Sequence, residues 1–268
     1  MSETTPKGQI LYFSHGGGPL PLLGDASHKA MIAFLKGLPV SLHKPEAIVV
    51  ISAHWEEPVA TVLSSPNPPM FYDYYGFPAE TYTVTYPAPG NPALAHTLET
   101  LLQAANIPTA SDTLRGFDHG VFIPLMLMYP EADIPTTQLS LVRGLNAKEH
   151  LELGKALAPL MEQNVLVIGS GFSFHNMAAF SYDADKKQDS RNEAFQNWLK
   201  EVCTGPYTEQ ERENFLLDWE QAPSARYCHP REEHLLPLLS CVAMGQKEGK
   251  VVFDDYILGK RSLAFLWT

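Results

Sequence analysis

A chain of 268 residues, 45% hydrophobic and 18% charged, can bury a sizeable core, and that balance excludes a disordered polar chain. A formal net charge of -11 with no Lys/Arg cluster excludes non-specific binding to nucleic acid or anionic membranes, where the phosphate contribution needs clustered cations. No apolar run approaches the ~20 residues that span a bilayer, the start Met1–Lys7 lacks a leader's apolar core, and Cys203, Cys228 and Cys241 show no C-x-x-C spacing. The expectation is a cytoplasmic protein with buried, idle thiols.

In chain order, Gln9–Phe13 reads as a buried strand that ends in Ser14-His15-Gly16-Gly17-Gly18-Pro19, where the glycines let backbone approach whatever the histidine holds. Ser27–Leu38 has helical spacing. Ala47–Ser52 is a continuous β-branched run, as in a strand buried on both faces, and delivers His54 at its carboxyl end; Thr61–Leu63 follows as a further strand. Residues 64–90, rich in Pro, Tyr and Gly, exclude a regular helix and read as a long covering loop, whose aromatic residues either wall a site or anchor the loop. Pro92–Ala105 reads as a helix capped by Asn91, Val121–Tyr129 as an apolar helix after Phe117-Asp118-His119-Gly120, and Ile134–Val142 as a strand. The spacing then predicts a helix over Ala147–Met161, a strand over Val165–Ile168, polar helices over Arg191–Cys203 and Glu209–Trp219, and an apolar helix opened by His229–His234 and running through Met244. Val251–Phe253 and Leu263–Leu266 read as closing antiparallel strands. Alternating strands and helices, with no repeat or linker, predict a single α/β domain over residues 1–268: a mixed, mostly parallel central sheet with helices on both faces.

Three of these strands are each followed within a few residues by a histidine: His15, His54 and His175. Ligands of open α/β sheets bind at the carboxyl ends of the strands, so these imidazoles are expected to converge on one crevice. His119, His229 and His234 add imidazoles from loops, whereas His28, His43, His96 and His150 read as solvated. An imidazole cluster with few cysteines suits Fe(II) or Zn(II). The G-x-S-x-G order of a serine hydrolase and the glycine motifs of nucleotide binding are absent.

Ser14–Pro19, Ser52–Glu56, Tyr74–Pro78, Phe117–Gly120, Gly169–Asn176 and His229–His234 occur in one order through nearly the whole chain. Together they resemble the DOPA 4,5-dioxygenase group of class III extradiol ring-cleavage dioxygenases, related to the protocatechuate 4,5-dioxygenase β-subunit. The resemblance implies a mononuclear metal enzyme that uses O2 to open a catechol, DOPA or a relative of it, beside its two hydroxyls. It makes His15 and His54 metal ligands and draws the third from His229–His234, with His234 preferred over Glu233 and His229; better-known relatives use a glutamate there. Fe(II) is implied for turnover, and an all-histidine set favours Zn(II) in isolated protein. His175 matches an acid/base group and, with zinc bound and no substrate, a fourth ligand; His119 matches a wall of the substrate pocket. Arg115, Arg226, Tyr74 and Tyr75 are expected either to meet the substrate or to serve packing. The implied partners are catechol and O2, with homo-oligomerisation left open. Two other readings use the same residues: a zinc-dependent hydrolase, and a non-enzymatic interaction protein on the same fold.

Overall fold

The computed structural model describes residues 7–182 and 188–268; the stretch Met1–Pro6, read above for a leader's apolar core, and residues 183–187 lie outside the described residues. The apolar runs read from the sequence have two faces to bury, and they form the centre of an eight-stranded sheet. In chain order the strands are β1 (Gln9–Ser14), β2 (Ala47–Glu57), β3 (Ala60–Leu63), β4 (Thr109–Asp112), β5 (Thr136–Val142), β6 (Val165–Gly171), β7 (Lys250–Ile257) and β8 (Lys260–Trp267). Their spatial order is β4-β3-β5-β2-β6-β1-β8-β7. β6 pairs in parallel with both β1 and β2, and β2 with β5; β8 runs antiparallel to β1 and β7.

Alternate side chains of each strand enter different cores. Ile10, Tyr12, Val49, Ile51 and Val167 meet helices α2 (Pro92–Ala104), α4 (Ala147–Leu157), α5 (Ser190–Thr204), α6 (Glu209–Leu217), α7 (Ala225–Cys228) and α8 (Leu236–Gly245) on one face. Leu11, Phe13, Ile48, Val50 and Ile168 meet α1 (Lys29–Gly37) and α3 (His119–Met128) on the other. Each fully buried Leu, Ile or Val contributes about 1.5–3 kcal/mol, so neither face of the central strands can be left open. All three cysteines are buried and free. No helix among the described residues is long and apolar enough to cross a membrane.

Four departures from the sequence reading bear on how the sheet and the site are built. β4 is a four-residue edge strand of polar residues, Thr109-Ala110-Ser111-Asp112, with no apolar alternation to announce it. The helix expected over Ala147–Met161 stops at Leu157 and continues as a 3-10 turn over Ala158–Glu162, because Pro159 cannot donate the next helical hydrogen bond. His229–His234 does not open the apolar helix: α8 begins at Leu236 with Pro237 in its first turn, leaving the histidine segment irregular. β2 runs five residues beyond Ser52 by taking up a bulge. The covering loop is irregular as expected apart from one 3-10 turn, Ala79–Tyr82. Tyr72 and Tyr74 brace it internally by donating to the carbonyls of Val84 and Thr81, both at 2.6 Å.

Candidate metal centre

The order β2-β6-β1 puts the carboxyl ends of the three predicted strands side by side. His15 continues β1, its N–H donating to Gly171 O at 3.0 Å, and the chain then turns through Gly16 at φ +89° and Gly18 at φ +52°, which residues with a Cβ rarely adopt. The Gly17 N–H donates to His28 Nε2 at 3.0 Å, while His28 Nδ1 lies 2.8 Å from Asp25. His28 is therefore a fully buried brace for the glycine loop. His150 is also fully buried, accepting from Val142 N–H at 3.2 Å and donating to Asn146 O at 2.8 Å. The solvated reading fails for these two because tertiary packing closes over them; His43 and His96 are exposed as expected.

β2 reaches the site through a bulge. Ile51 pairs with Leu139 and Glu56 with Leu141, so four residues, Ser52–Trp55, stand opposite the single Ser140 of β5, and His54 is lifted out of the ladder. The Ser52 hydroxyl fixes the bulge by accepting from His54 N–H at 3.2 Å and donating to Asp118 at 2.8 Å. Arg115 donates to His54 O at 3.0 Å and to Asp118 at 3.1 Å; it backs the site from outside the cavity. Burial and the neighbouring Asp73 carboxylate raise the Asp118 pKa against the pull of Arg115. Arg226 is occupied by Glu220 and Glu232, far from any role at the cavity.

His234 arrives from the opposite face of the sheet. Its carbonyl accepts from Phe172 N–H at 3.0 Å and Tyr12 OH at 3.1 Å, crossing directly over Gly171. The ring centroids of His15, His54 and His234 lie 4.8, 4.9 and 5.2 Å apart. Three imidazoles sharing one ion at ordinary metal–nitrogen distances place their ring centres about 5 Å apart. His119, at the start of α3, is also close: its donor atom and those of His15 and His54 lie within 4.8 Å of one another.

The outer nitrogens are each held. The Ser170 hydroxyl donates to Gly120 O, so its oxygen is left to accept from His15 Nδ1–H at 3.0 Å, which puts the free lone pair on His15 Nε2. Asp73, a residue the sequence reading did not single out, faces His54 Nδ1 at 3.4 Å and accepts from His119 Nδ1 at 2.8 Å. Glu233 Oε1 faces His234 Nδ1 at 2.9 Å and His175 Nδ1 at 3.1 Å. His15 Nε2 and His54 Nε2 then stand 2.9 Å apart, two lone pairs turned toward each other in a buried site. A cation relieves that repulsion, and the all-nitrogen donor set, without thiolate, fits a borderline transition metal. Desolvation, reinforced by mutual repulsion, holds the pKa values of His15 and His54 well below the usual imidazole value and lowers His234 to about 3, so these donors stay neutral. Burial alone would raise the Glu233 pKa, yet hydrogen bonds from His175 and His234 hold it well below the carboxylate range.

The remaining predicted residues separate by geometry. His175 stacks on His234 with centroids 3.4 Å apart and planes at 19°, and both rings turn Nδ1 to the same Glu233 Oε1. His229 is buried against Phe195 and Trp219, with its Nε2 on Ser173 O at 3.0 Å, and does not reach the cavity. The five histidines His15, His54, His119, His175 and His234 floor a cavity of about 510 Å3, whose walls include Tyr74, Tyr75 and Phe77 of the covering loop. The orienting residues Asp73, Ser170 and Glu233 escaped the sequence reading as such. The one signal for Asp73 was a lone carboxylate inside an aromatic stretch, Phe71-Tyr72-Asp73-Tyr74.

Residues 26–264 match the family model described as the catalytic LigB subunit of aromatic ring-opening dioxygenase. The chain is 37% identical to the dioxygenase tasH of Hapsidospora irregularis, covering 96% of this chain and 85% of that protein. It is 39% identical to a 4,5-DOPA dioxygenase extradiol of Beta vulgaris, covering 88% and 86%. A solved structure of an uncharacterized protein from Escherichia coli K12 superposes with a TM-score of 0.78 at 29% identity, over 97% of this chain and 99% of that one.

Proposed function

The chain belongs to the family of the catalytic LigB subunit of aromatic ring-opening dioxygenases, and from that premise we propose that it opens a catechol-type ring beside its two hydroxyls at a metal held by His15, His54 and His234. The observation that supports the ligand assignment is the near-equilateral triangle of those three rings on the floor of one cavity, with the Nε2 atoms of His15 and His54 facing each other. The hydrolase and non-enzymatic readings give way to family membership. The ring-cleavage domain is taken as residues 1–268, with a catechol and O2 as its partners in the cytoplasm. DOPA, named for the Beta vulgaris relative, is the first substrate to try.

Glu233 is set aside as the third ligand because its Oε1 takes two imidazole N–H groups from behind and the residue does not line the cavity, and His229 because it faces a backbone carbonyl elsewhere. His119 stands 3.9 Å from His54, closer than co-ligands of one ion, and is assigned to the cavity wall beside the substrate. Fe(II) is the metal proposed for turnover, with Zn(II) the metal retained on isolation. A metal bound there supplies Lewis acidity toward the catechol hydroxyls and, when redox-active as Fe(II) is, electrons toward O2.

The chain's own contribution is orientation and proton transfer. Glu233 keeps His175 protonated at Nδ1, leaving Nε2 as the base that takes a proton from a catechol hydroxyl and later returns it. Asp73, Ser170 and Glu233 fix the rings before substrate arrives, so little reorganisation is needed during reaction. The ring carbon–carbon bond beside the diol breaks, and both atoms of O2 end in the ring-opened semialdehyde acid. Anaerobic reconstitution with Fe(II), followed by oxygen and a catechol panel, should develop the yellow absorbance of that product with matching oxygen uptake. Absence of both with every catechol would overturn the assignment.

A further inference from the structure

Building on the ring-opening reading, we infer that the cavity selects catechols bearing an uncharged, apolar substituent over catechols bearing a carboxylate or an amino-acid side chain. Its volume of about 510 Å3 lies in the range of roughly 300–1,000 Å3 that takes drug-sized ligands, well beyond a bare catechol ring. Charged and imidazole groups line its floor, where Asp73 and the imidazole Nδ1 atoms are engaged by hydrogen bonds or carboxylate contacts, and the other polar side-chain atoms are the phenol hydroxyls of its tyrosines. Above the floor the walls are Leu20, Phe77, Phe172, Phe180 and Leu258. The Tyr74 hydroxyl, which could otherwise meet a polar substituent, donates to Thr81 O at 2.6 Å.

Among the described residues no lysine or arginine lines this cavity. The guanidiniums behind it are occupied, Arg115 by His54 O and Asp118, Arg231 by Glu56 at 2.7 Å and Glu233 at 3.4 Å. Among the described residues a substrate carboxylate would therefore lose water without gaining a counter-charge, and a substrate ammonium would meet Asp73, already shared by His54 and His119. The net charge of -11 further opposes approach of an anion. A second observation comes from the mouth. Tyr75, Met177 and Tyr182 line the cavity yet remain 92%, 64% and 61% exposed, which gathers large apolar side chains at one opening. Such a rim marks a binding groove, and an apolar substituent projecting from the floor would cover it.

The test compares kcat/KM of the Fe(II)-reconstituted protein for 4-butylcatechol, DOPA and 3,4-dihydroxybenzoate. A parallel arm measures anaerobic Kd for the same compounds by calorimetry on zinc-loaded protein, which binds without turning over. Since one methylene in an apolar pocket is worth about tenfold or more, 4-butylcatechol should exceed both charged catechols by at least about tenfold in each arm. Met177→Arg, at an exposed position of the rim, should narrow the 4-butylcatechol to DOPA ratio at least about threefold by supplying a cation there. Equal or better use and binding of DOPA by the parent, or an unchanged ratio in the variant, would overturn the inference. If no catechol is opened, the ring-opening reading fails, and the Kd ratio alone then decides the cavity's preference.

Discussion

The backbone of Gly171 lies so close beneath His234 that a methyl group added to Gly171 would stand 2.1 Å from the His234 carbonyl oxygen. Both partners are main chain, one a sheet strand and the other a segment pinned by Phe172 N–H and Tyr12 OH, so neither yields cheaply. Gly171→Ala is expected to cost about 1–3 kcal/mol in urea unfolding, the range for overpacking, and to weaken metal binding by displacing His234. Parent-like stability and metal affinity would show that the crossing is loose.

His15→Ala should lower metal affinity by at least about 100-fold, more than outer residues of a metal site usually command. Competition with a chromogenic chelator measures it directly. Tight binding in the variant would remove His15 from the ligand set and, with it, the triangle on which the function rests.

Ser170→Ala removes the acceptor that holds the proton on His15 Nδ1. The expected result is a loss of about 10–100-fold in metal affinity, the usual effect of deleting an orienting partner, without loss of the fold. An unaltered chelator titration would mean that packing alone fixes the ring.

His175→Ala should retain a full complement of metal while turnover falls by about 100- to 10,000-fold, the usual contribution of a positioned acid or base. Metal analysis and oxygen uptake on the same sample separate the two effects. Loss of metal together with activity would return His175 to the ligand set.

His229 carries a pH prediction. Burial lowers its pKa to about 3, so the folded protein leaves it neutral while the unfolded chain protonates it near the ordinary imidazole value. The unfolded state thus binds the extra proton between about pH 6.5 and 3, and stability falls as pH drops through that window by about 1.4 kcal/mol per unit. His229→Gln, which keeps a donor for Ser173 O, should show a smaller loss of stability between pH 7.5 and 5.5 than the parent in urea titrations at matched metal content. Parallel losses would assign the acid sensitivity to other groups.

Much of the sheet was legible in the sequence because its central strands are continuous apolar runs, and the site was legible where a histidine follows such a run directly. His15 and His54 carry that local signal. The orienting contacts carried none: Asp73 lies 46 residues from His119, and Ser170 lies 155 from His15, so only the fold introduces them. Burial of His28 and His150 was hidden for the same reason, since each looks polar in sequence and is enclosed by other elements. The bulge of β2 was equally silent, because Ser52-Ala53-His54-Trp55 contains no glycine to mark the extra residues.

The placement of β6 between β1 and β2 decides which parts of the site can vary independently. His15 and His54 lean toward each other across the tip of an intervening strand that ends in Gly169-Ser170-Gly171, so the gap between the first two donors is inherited from sheet spacing and from the slimness of that tip. The covering loop contributes Tyr75 to the cavity rim and Asp73 to the orientation of His54 and His119. Changes at the rim that leave Asp73 in place can therefore alter what the cavity accepts while the sheet keeps the spacing of the first two donors.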